Sequence, residues 1–163
     1  MFDLILPSYH FALKYAYKLV ADLPDDRWCG QPVAGVTMNH AAWTLGHLAW
    51  ASDNMLGRLN LTPTLDDAWR ALFMFGTRPL PDRSAYPAKD VLLGHLDATH
   101  ARLLDAVTSA SLEVLNAPPP NERMRAMFPT TAQMVAGLMT SHFSAHNGQL
   151  SAWRRAMGFP SAF

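Results

Sequence analysis

Proline and glycine divide this chain of 163 residues into four long segments in which apolar side chains recur at helical spacing. Almost no stretch alternates between apolar and polar residues as a half-buried strand does. The pattern predicts helices over about Tyr9 to Leu23, from Thr37 or Asn39 to about Leu59, over about Pro87 to Ala110, and from Thr130 to near Gly158. Because no repeat of roughly 30 to 45 residues is visible, these helices predict an all-α four-helix bundle rather than a solenoid.

A long, proline-bearing connection from Leu61 to Pro87 joins the second and third predicted helices. Within this crossover, the stretch from Asp66 to Phe75 predicts a short helix, and the whole connection can cover one end of the bundle. Trp69 of this helix either turns into the core or lines the mouth of a pocket. The other aromatic side chains of interest are expected to fill the core because of their large apolar area: Trp43, Trp50 and Trp153.

The composition indicates a folded protein that binds neither nucleic acid nor a membrane. Half of the residues are apolar and 16% are charged, which predicts a well-filled core and a single domain over residues 1–163. The 13 basic and 13 acidic side chains cancel, so no positive field attracts nucleic acid or anionic lipid. No basic leader and no apolar stretch of about 18 residues is visible. Cys29 has no partner for an internal disulfide, so we expect a soluble, cytoplasmic protein.

The last predicted helix carries His142 and His146, which are four residues apart. On an α-helix, side chains at this spacing lean the same way, and their Cβ atoms lie about 6 Å apart. Both imidazoles can therefore reach one ion, and the pair predicts half of a metal site.

The second predicted helix offers His40 and His47, which are seven residues apart and hence on nearly the same face. Either can face the bundle axis, and His40 is the better candidate for a structural or neighbouring role. Gly46 precedes His47 and Gly148 follows His146 closely, although glycine lowers helix propensity. The two glycines predict a close approach of the second and fourth helices, which a shared ion requires.

Three neutral imidazoles around a divalent ion leave its charge uncompensated and at least one coordination position open, as in catalytic zinc sites. Water or a thiol bound at that position would lose its proton near neutral pH. Imidazole also suits nickel, copper and iron, so the donor type leaves the metal open. Gln149 lies on the same stripe of the helix and is a candidate acceptor for the second ring N–H of a ligand.

The remaining histidines and an arginine near the end of the chain have simpler explanations. His95 and His100 are five residues apart, about 140° around a helix, so they cannot both face one inward site. His10 is expected at the surface or at one end of the bundle. Arg154 is explained by the helix dipole, which favours cations at a C-terminus; the alternative is that it holds a substrate carboxylate along the metal stripe.

Two short motifs resemble the DinB superfamily. They are Leu45-Gly46-His47-Leu48 in the second predicted helix and His142-x-x-x-His146-x-Gly148-Gln149-Leu150 in the last, and the resemblance extends over almost the whole chain. It implies an up-down-down-up four-helix bundle with a long crossover between helices two and three, and a homodimer. It also implies a divalent metal ion, zinc or nickel, held by one histidine of helix two and two of helix four. On this chain those residues are His47, His142 and His146.

Proteins similar in layout include bacillithiol- or mycothiol-dependent S-transferases, a maleylpyruvate isomerase and metal-dependent hydrolases. The resemblance therefore implies an enzyme in which the ion activates a low-molecular-weight thiol, or else water, against a small electrophile. No Ser-His-Asp or Cys-His constellation and no His-Glu-x-x-His motif is visible, so a protein-borne nucleophile and a metalloprotease are not expected. The alternative is a non-catalytic, stress-related four-helix-bundle dimer with a structural metal or none.

Overall fold

The computed structural model describes residues 2–162, and the part of the chain that it describes is helical and contains no strand. The predicted all-α class is therefore confirmed. No helix within these residues combines the length and the apolar character needed to cross a membrane. The α-helices, in chain order, are α1 (Leu6–Val20), α2 (Ala41–Leu56), α3 (Asp67–Phe73), α4 (Lys89–Ser109), α5 (Leu112–Asn116), α6 (Glu122–Met127), α7 (Thr131–Gly137) and α8 (Phe143–Ala156).

The long helices lie where the apolar periodicity predicts them, with shifted ends. Helix α1 begins three residues earlier than predicted because Pro7 occupies its first turn, where a missing N–H is harmless. Helix α2 begins after His40, whose Nδ1 accepts a hydrogen bond from the backbone N–H of Trp43. The predicted crossover helix is confirmed as α3, which is capped by Asp66.

The fourth predicted helix is built from three parts. Helix α7 begins with a capping box between Thr130 and Gln133, and a π-helical turn, Leu138–His142, connects it to α8. The backbone stays in the right-handed helical region on both sides of this turn, so the chain remains one continuous helix. Within the turn, the hydroxyl of Thr140 donates to the carbonyl of Ala136 at 2.7 Å. Such bonds back to the preceding turn bend helices.

Helices α5 and α6 have no counterpart in the sequence prediction, so the described residues form more helices than the four long ones and the crossover helix that the pattern predicts. Each is about one to two turns long, too short to show a helical period in its apolar residues. Side-chain caps start both of them: Ser111 accepts from the N–H of Val114, and Asn121 accepts from the N–H groups of Arg123 and Met124.

Helices α1, α2, α4 and α8 pack around the core. Helix α1 contacts α8 through the rings of Tyr9 and Phe143 (centroids 5.1 Å apart) and through Asn147, which donates to the carbonyl of Ala12 at 2.7 Å. Helix α2 is joined to α4 by the ion pair of the buried Asp53 with Arg102, at 3.2 Å. Helix α2 also contacts α8, and nearly all of its residues are buried.

The crossover helix α3 lies directly on α2. The indole N–H of Trp69 donates to the carbonyl of Gly46 at 3.1 Å, and the fully buried Phe73 ring occupies the space where Gly46 has no side chain. Gly46 therefore marks a close approach, but its partner is α3 and not the fourth helix. Gly148 is exposed, and a Cβ there would meet nothing within 4 Å. The prediction that these glycines bring helices two and four together is wrong.

Arg154 is buried and is held within the fold. Its Nη2 donates to Oδ2 of Asp22 at 2.6 Å, its Nη1 to the carbonyl of Leu19 at 3.0 Å, and its Nε to the carbonyl of Pro160 at 2.7 Å. These contacts tie the last turn of α8 to the end of α1. They also occupy the guanidinium, so the alternative role of Arg154 as a holder of substrate carboxylate is wrong.

Replacing Asp22 with Asn should lower the free energy of unfolding at pH 7 by about 1 kcal/mol. The effect stays small because Asp22 is 53% exposed and solvent screens its charge, although Arg154 is buried. The hydrogen bond from Arg154 lowers the pKa of the Asp22 carboxyl below its ordinary 3.8. The stabilisation is therefore fully present above pH 3.8 and is lost as the pH falls through the lowered pKa. Urea unfolding from pH 7 down to pH 2 measures this; an equal loss in the control Asp26→Asn would contradict it.

Candidate metal centre

Three histidines from two helices meet at the α2–α8 contact, one of them buried and two partly buried. His47 is buried on α2, His142 is the last residue of the π-helical turn, and His146 lies one turn further on, in α8. One ligand nitrogen from each ring lies within 4.8 Å of the others. The structure thus brings together all three residues that the sequence motifs indicate.

The geometry of the rings leaves little space between them. Nε2 of His47 lies 3.2 Å from Nε2 of His142. The ring centroid of His146 lies 4.6 Å from that of His47 and 4.6 Å from that of His142. Rings this close, with nitrogens converging, match the arrangement of imidazoles around one metal ion.

His47 is oriented by the crossover. Its Nδ1 lies 2.7 Å from the carbonyl oxygen of Phe73, the last residue of α3. A carbonyl can only accept, so Nδ1 carries the proton and the lone pair of the neutral ring is on Nε2, facing His142. Ligating histidines usually donate their second N–H in this way, which fixes their tautomer. The role of Phe73 was not predicted, because every residue has a main-chain carbonyl and the residue type does not show which one accepts this bond.

Two tryptophans of α2 border His47. The ring of Trp43 lies parallel to the imidazole, with centroids 4.7 Å apart and an angle of 8° between the planes. Trp50 is half-buried, and its ring centroid is 5.7 Å from that of His47. These residues were expected only to fill the core, and the structure adds a second role as walls of the histidine cluster. Trp69, the candidate for a pocket mouth, is buried against α2 instead.

Burial favours the neutral form of all three imidazoles. Burial lowers the pKa of His146 to about 3, helped by the nearby charges of His142 and His47 in their protonated forms. Burial and the proximity of His47 lower the pKa of His142 to about 4, and burial lowers the pKa of His47. A metal ion binds the neutral form of imidazole, so the centre needs to release no proton before it binds a metal.

The donor set fits a divalent ion with exchangeable positions. Among residues 2–162, no Asp or Glu joins the three histidines in the group of ligand atoms that converge within 4.8 Å, so the protein supplies no negatively charged ligand to the centre. Nδ1 of His142 and Nδ1 of His146 are buried without a hydrogen-bond partner in the described part of the chain. An unsatisfied buried polar atom costs about 1 to 3 kcal/mol. Three neutral nitrogen donors with no carboxylate among them are what a site completed by added ligands would contain.

The π-helical turn sets the positions of His142 and His146 relative to α7. A π turn contains one more residue than the same turn of an α-helix, so it rotates every following side chain about the helix axis. Such turns occur frequently at functional sites. A sequence signal accompanies this π-helical turn: the hydroxyls of Thr140 and Ser141 donate to carbonyls of the preceding turn.

The other candidate residues lie outside the cluster. His40 accepts from Trp43 through Nδ1 and donates through Nε2 to the carbonyl of Leu80 at 2.8 Å, so its role is structural, as expected. The Gln149 side chain interacts with His146 and raises its pKa against the effect of burial, and the Gln149 oxygen also accepts from Asn39 at 2.9 Å.

Of the histidines on α1 and α4, none belongs to the cluster. His10 is exposed, as predicted, and its Nδ1 lies 3.5 Å from Nε2 of His100. His100 is buried and stacks on Tyr9, while His95 packs against Trp69. Cys29 is buried, and burial raises the pKa of its thiol to about 11, so it behaves as an ordinary small apolar residue of the core.

Comparison with known proteins identifies the family to which this chain belongs. The family model described as the DinB superfamily matches residues 9–150, which include all three clustered histidines. No curated protein and no solved structure matches the chain. Because the match covers most of the sequence and agrees with the motifs around His47 and His142, the chain belongs to the DinB superfamily.

Proposed function

We propose that His47, His142 and His146 hold one divalent metal ion, zinc or nickel, and that the protein is a metal-dependent enzyme. The observation that carries this proposal is the convergence of their ring nitrogens to within 4.8 Å. The neutral state of all three rings supports it, as does the orientation of His47 by the Phe73 carbonyl.

The ion, when bound, would lower the pKa of a thiol or water ligand and so supply a nucleophile near neutral pH. The chain's own residues hold the donor atoms and exclude water from one side. The Phe73 carbonyl keeps the proton of His47 on Nδ1, and the Trp43 ring covers one face of that imidazole. Trp50 offers a half-buried apolar surface to the substrate.

The charge balance favours transfer of a low-molecular-weight thiol over hydrolysis. With three neutral ligands and no carboxylate in the converging group, the described residues provide no negatively charged ligand to balance the ion. A thiol of ordinary pKa near 8.5 ionises more readily than water and brings the negative charge with it. The proposed reaction is attack of this thiol on a small electrophile, with hydrolysis as the second choice.

For the architecture, we propose one domain in which α1, α2, α4 and the α7–α8 helix run up, down, down and up. Where α1 contacts α8, the residue numbers on both helices increase together, which supports a parallel pair. Where α2 contacts α8, the residue numbers increase on one helix and decrease on the other, which supports an antiparallel pair. The supporting contacts are Tyr9 with Phe143 and Ala12 with Asn147 for α1 and α8, and His47 with His142 and Trp43 with His146 for α2 and α8. A homodimer is part of the same proposal and is tested by light scattering.

A non-catalytic bundle with a structural metal is the second candidate. The observation in its favour is that no carboxylate of the described residues joins the converging group, so no candidate general acid or base lies among the ligands. The metal content and the activity measurements below separate the two candidates.

The purified protein, prepared without chelators, should contain about one divalent ion per chain, and His142→Ala should lose it. Elemental analysis measures both. His10→Ala, an exposed histidine on α1, is the matched control and should keep the ion. EDTA should lower the melting temperature of the wild type but not that of His142→Ala, since binding of the ion stabilises the folded state. Absence of an ion together with an unchanged melting temperature in EDTA would contradict the proposal.

Gly46→Ala should weaken zinc binding about ten- to a hundredfold without touching a ligand. A Cβ at this position would clash with Cε1 of Phe73, so the ring must move together with the carbonyl that orients His47. Gly148→Ala, on the helix of the other two ligands, meets nothing within 4 Å and should leave the affinity unchanged. It should also stabilise the fold by up to about 1 kcal/mol. Titration against a competing chelator measures the affinities, and equal values for Gly46→Ala and the wild type would rule out the positioning role of Phe73.

Loss of an activated aryl halide should be faster with a thiol than with water alone, and should depend on the histidines. The assay compares bacillithiol, mycothiol, cysteine and buffer, using the metal-loaded wild type and the variant in which His47, His142 and His146 are all Ala. Thiol-dependent turnover only in the wild type supports S-transfer, and turnover in buffer alone supports hydrolysis. Activity that survives in the triple variant would refute the mechanism, and inactivity of a metal-loaded wild type in every assay favours the structural role.

A further inference from the structure

A groove of about 440 Å³ lies at the N-terminal side of α2, between the loop of residues 31–37 and residues 78–81. Its walls are mostly apolar. Val33, Val36 and Leu80, each about half exposed, all line it. Ligand pockets for small molecules span about 300 to 1,000 Å³ and combine apolar walls with a few oriented polar groups. The groove has the size and the walls of such a pocket.

Hydrogen bonds hold both walls in place. The Gln31 amide accepts from the backbone N–H of Met38 at 2.8 Å and donates to the carbonyl of the same residue at 3.0 Å, which closes the 31–37 loop. On the opposite wall, His40 donates to the carbonyl of Leu80. A ligand would therefore meet a formed groove and would not have to order these loops.

Arg78 is the one charged side chain that lines the groove. Its Nε and Nη2 donate to the hydroxyl of Thr37 at 3.1 and 2.8 Å, and within residues 2–162 these are its hydrogen bonds. A neutral hydroxyl orients the guanidinium without balancing its charge. The N–H groups on Nη1 and the second N–H on Nη2 remain available for an anion.

We propose that this groove binds a small monocarboxylate with an apolar body. The planar guanidinium of Arg78 pairs with a carboxylate through two parallel hydrogen bonds, and the single positive charge matches a single negative one. The apolar body lies against Val33, Val36 and Leu80, whose half-exposed side chains lose contact with water when it binds. The site is separate from the histidine cluster and uses none of its residues.

Octanoate is the probe, and its uncharged counterpart octanamide is the matched ligand. Methyl NMR of the full chain, titrated with each ligand, locates the binding site and gives the dissociation constant. We expect saturable shifts at the methyl groups of Val33, Val36 and Leu80, and an affinity for octanamide at least about tenfold lower than for octanoate. This comparison needs no variant, so it holds even if a substitution disturbs the fold.

Arg78→Gln should weaken octanoate binding about tenfold and leave octanamide binding unchanged, because it removes the charge and keeps an amide donor. Arg70→Gln is the matched control, since Arg70 is exposed on α3 and does not line the groove. His142→Ala should bind octanoate as the wild type does, so the result is independent of the metal proposal. Equal affinity for the two ligands, no effect of Arg78→Gln, shifts located elsewhere, or no saturable binding would each overturn the assignment. Tighter binding of the C-terminal carboxylate of a peptide than of octanoate would also overturn the assignment of a small-molecule ligand.

Discussion

The hydrogen bond from Nδ1 of His47 to the carbonyl of Phe73, 2.7 Å long, connects the histidine cluster to the crossover between the long helices. It decides which nitrogen of the ring carries the proton, and therefore which one offers a lone pair to an ion. The bond exists because α3 fits closely on α2. The Phe73 ring needs the space left by Gly46, and Trp69 donates to the Gly46 carbonyl. Docking of one short helix thus sets the chemical state of a residue on another.

Burial gives the cluster its electrostatic character. Burial favours the uncharged form of imidazole and lowers the pKa of all three histidines. His47 lowers the pKa of His142 further, and both of them lower the pKa of His146. Trp43 stacks on His47, and no carboxylate of the described residues joins the converging ligand atoms. The protein therefore offers the centre an apolar wall and no negatively charged ligand. An ion placed there keeps its full charge, which draws anionic ligands from solution. In the proposed function, these features favour a thiolate over a neutral ligand.

The predicted helices and the structure differ in ways that follow from local physics. Long helices are predictable because an apolar face repeats over several turns, and α4 begins and ends within about two residues of its predicted ends. The short helices α5 and α6 are started by single caps, which resemble turn signals in sequence. The π-helical turn before His142 is set by backbone hydrogen bonds that leave a weak trace in residue types. The predicted role of Gly148 in a close helix–helix approach is wrong, because the low helix propensity of glycine does not show whether the residue faces another helix or solvent.

The sequence by itself determined the all-α class and the identity of the clustered histidines. The spacing of apolar residues and the one-turn separation of His142 and His146 are properties of a single helix, and the motif around His47 completed the set. Only the tertiary structure decided that Phe73 orients His47, that Arg154 pairs with Asp22, and that Arg78 lies in an apolar groove. Those contacts join residues or backbone groups far apart in the chain, and their partners are chosen by packing, which no local pattern records.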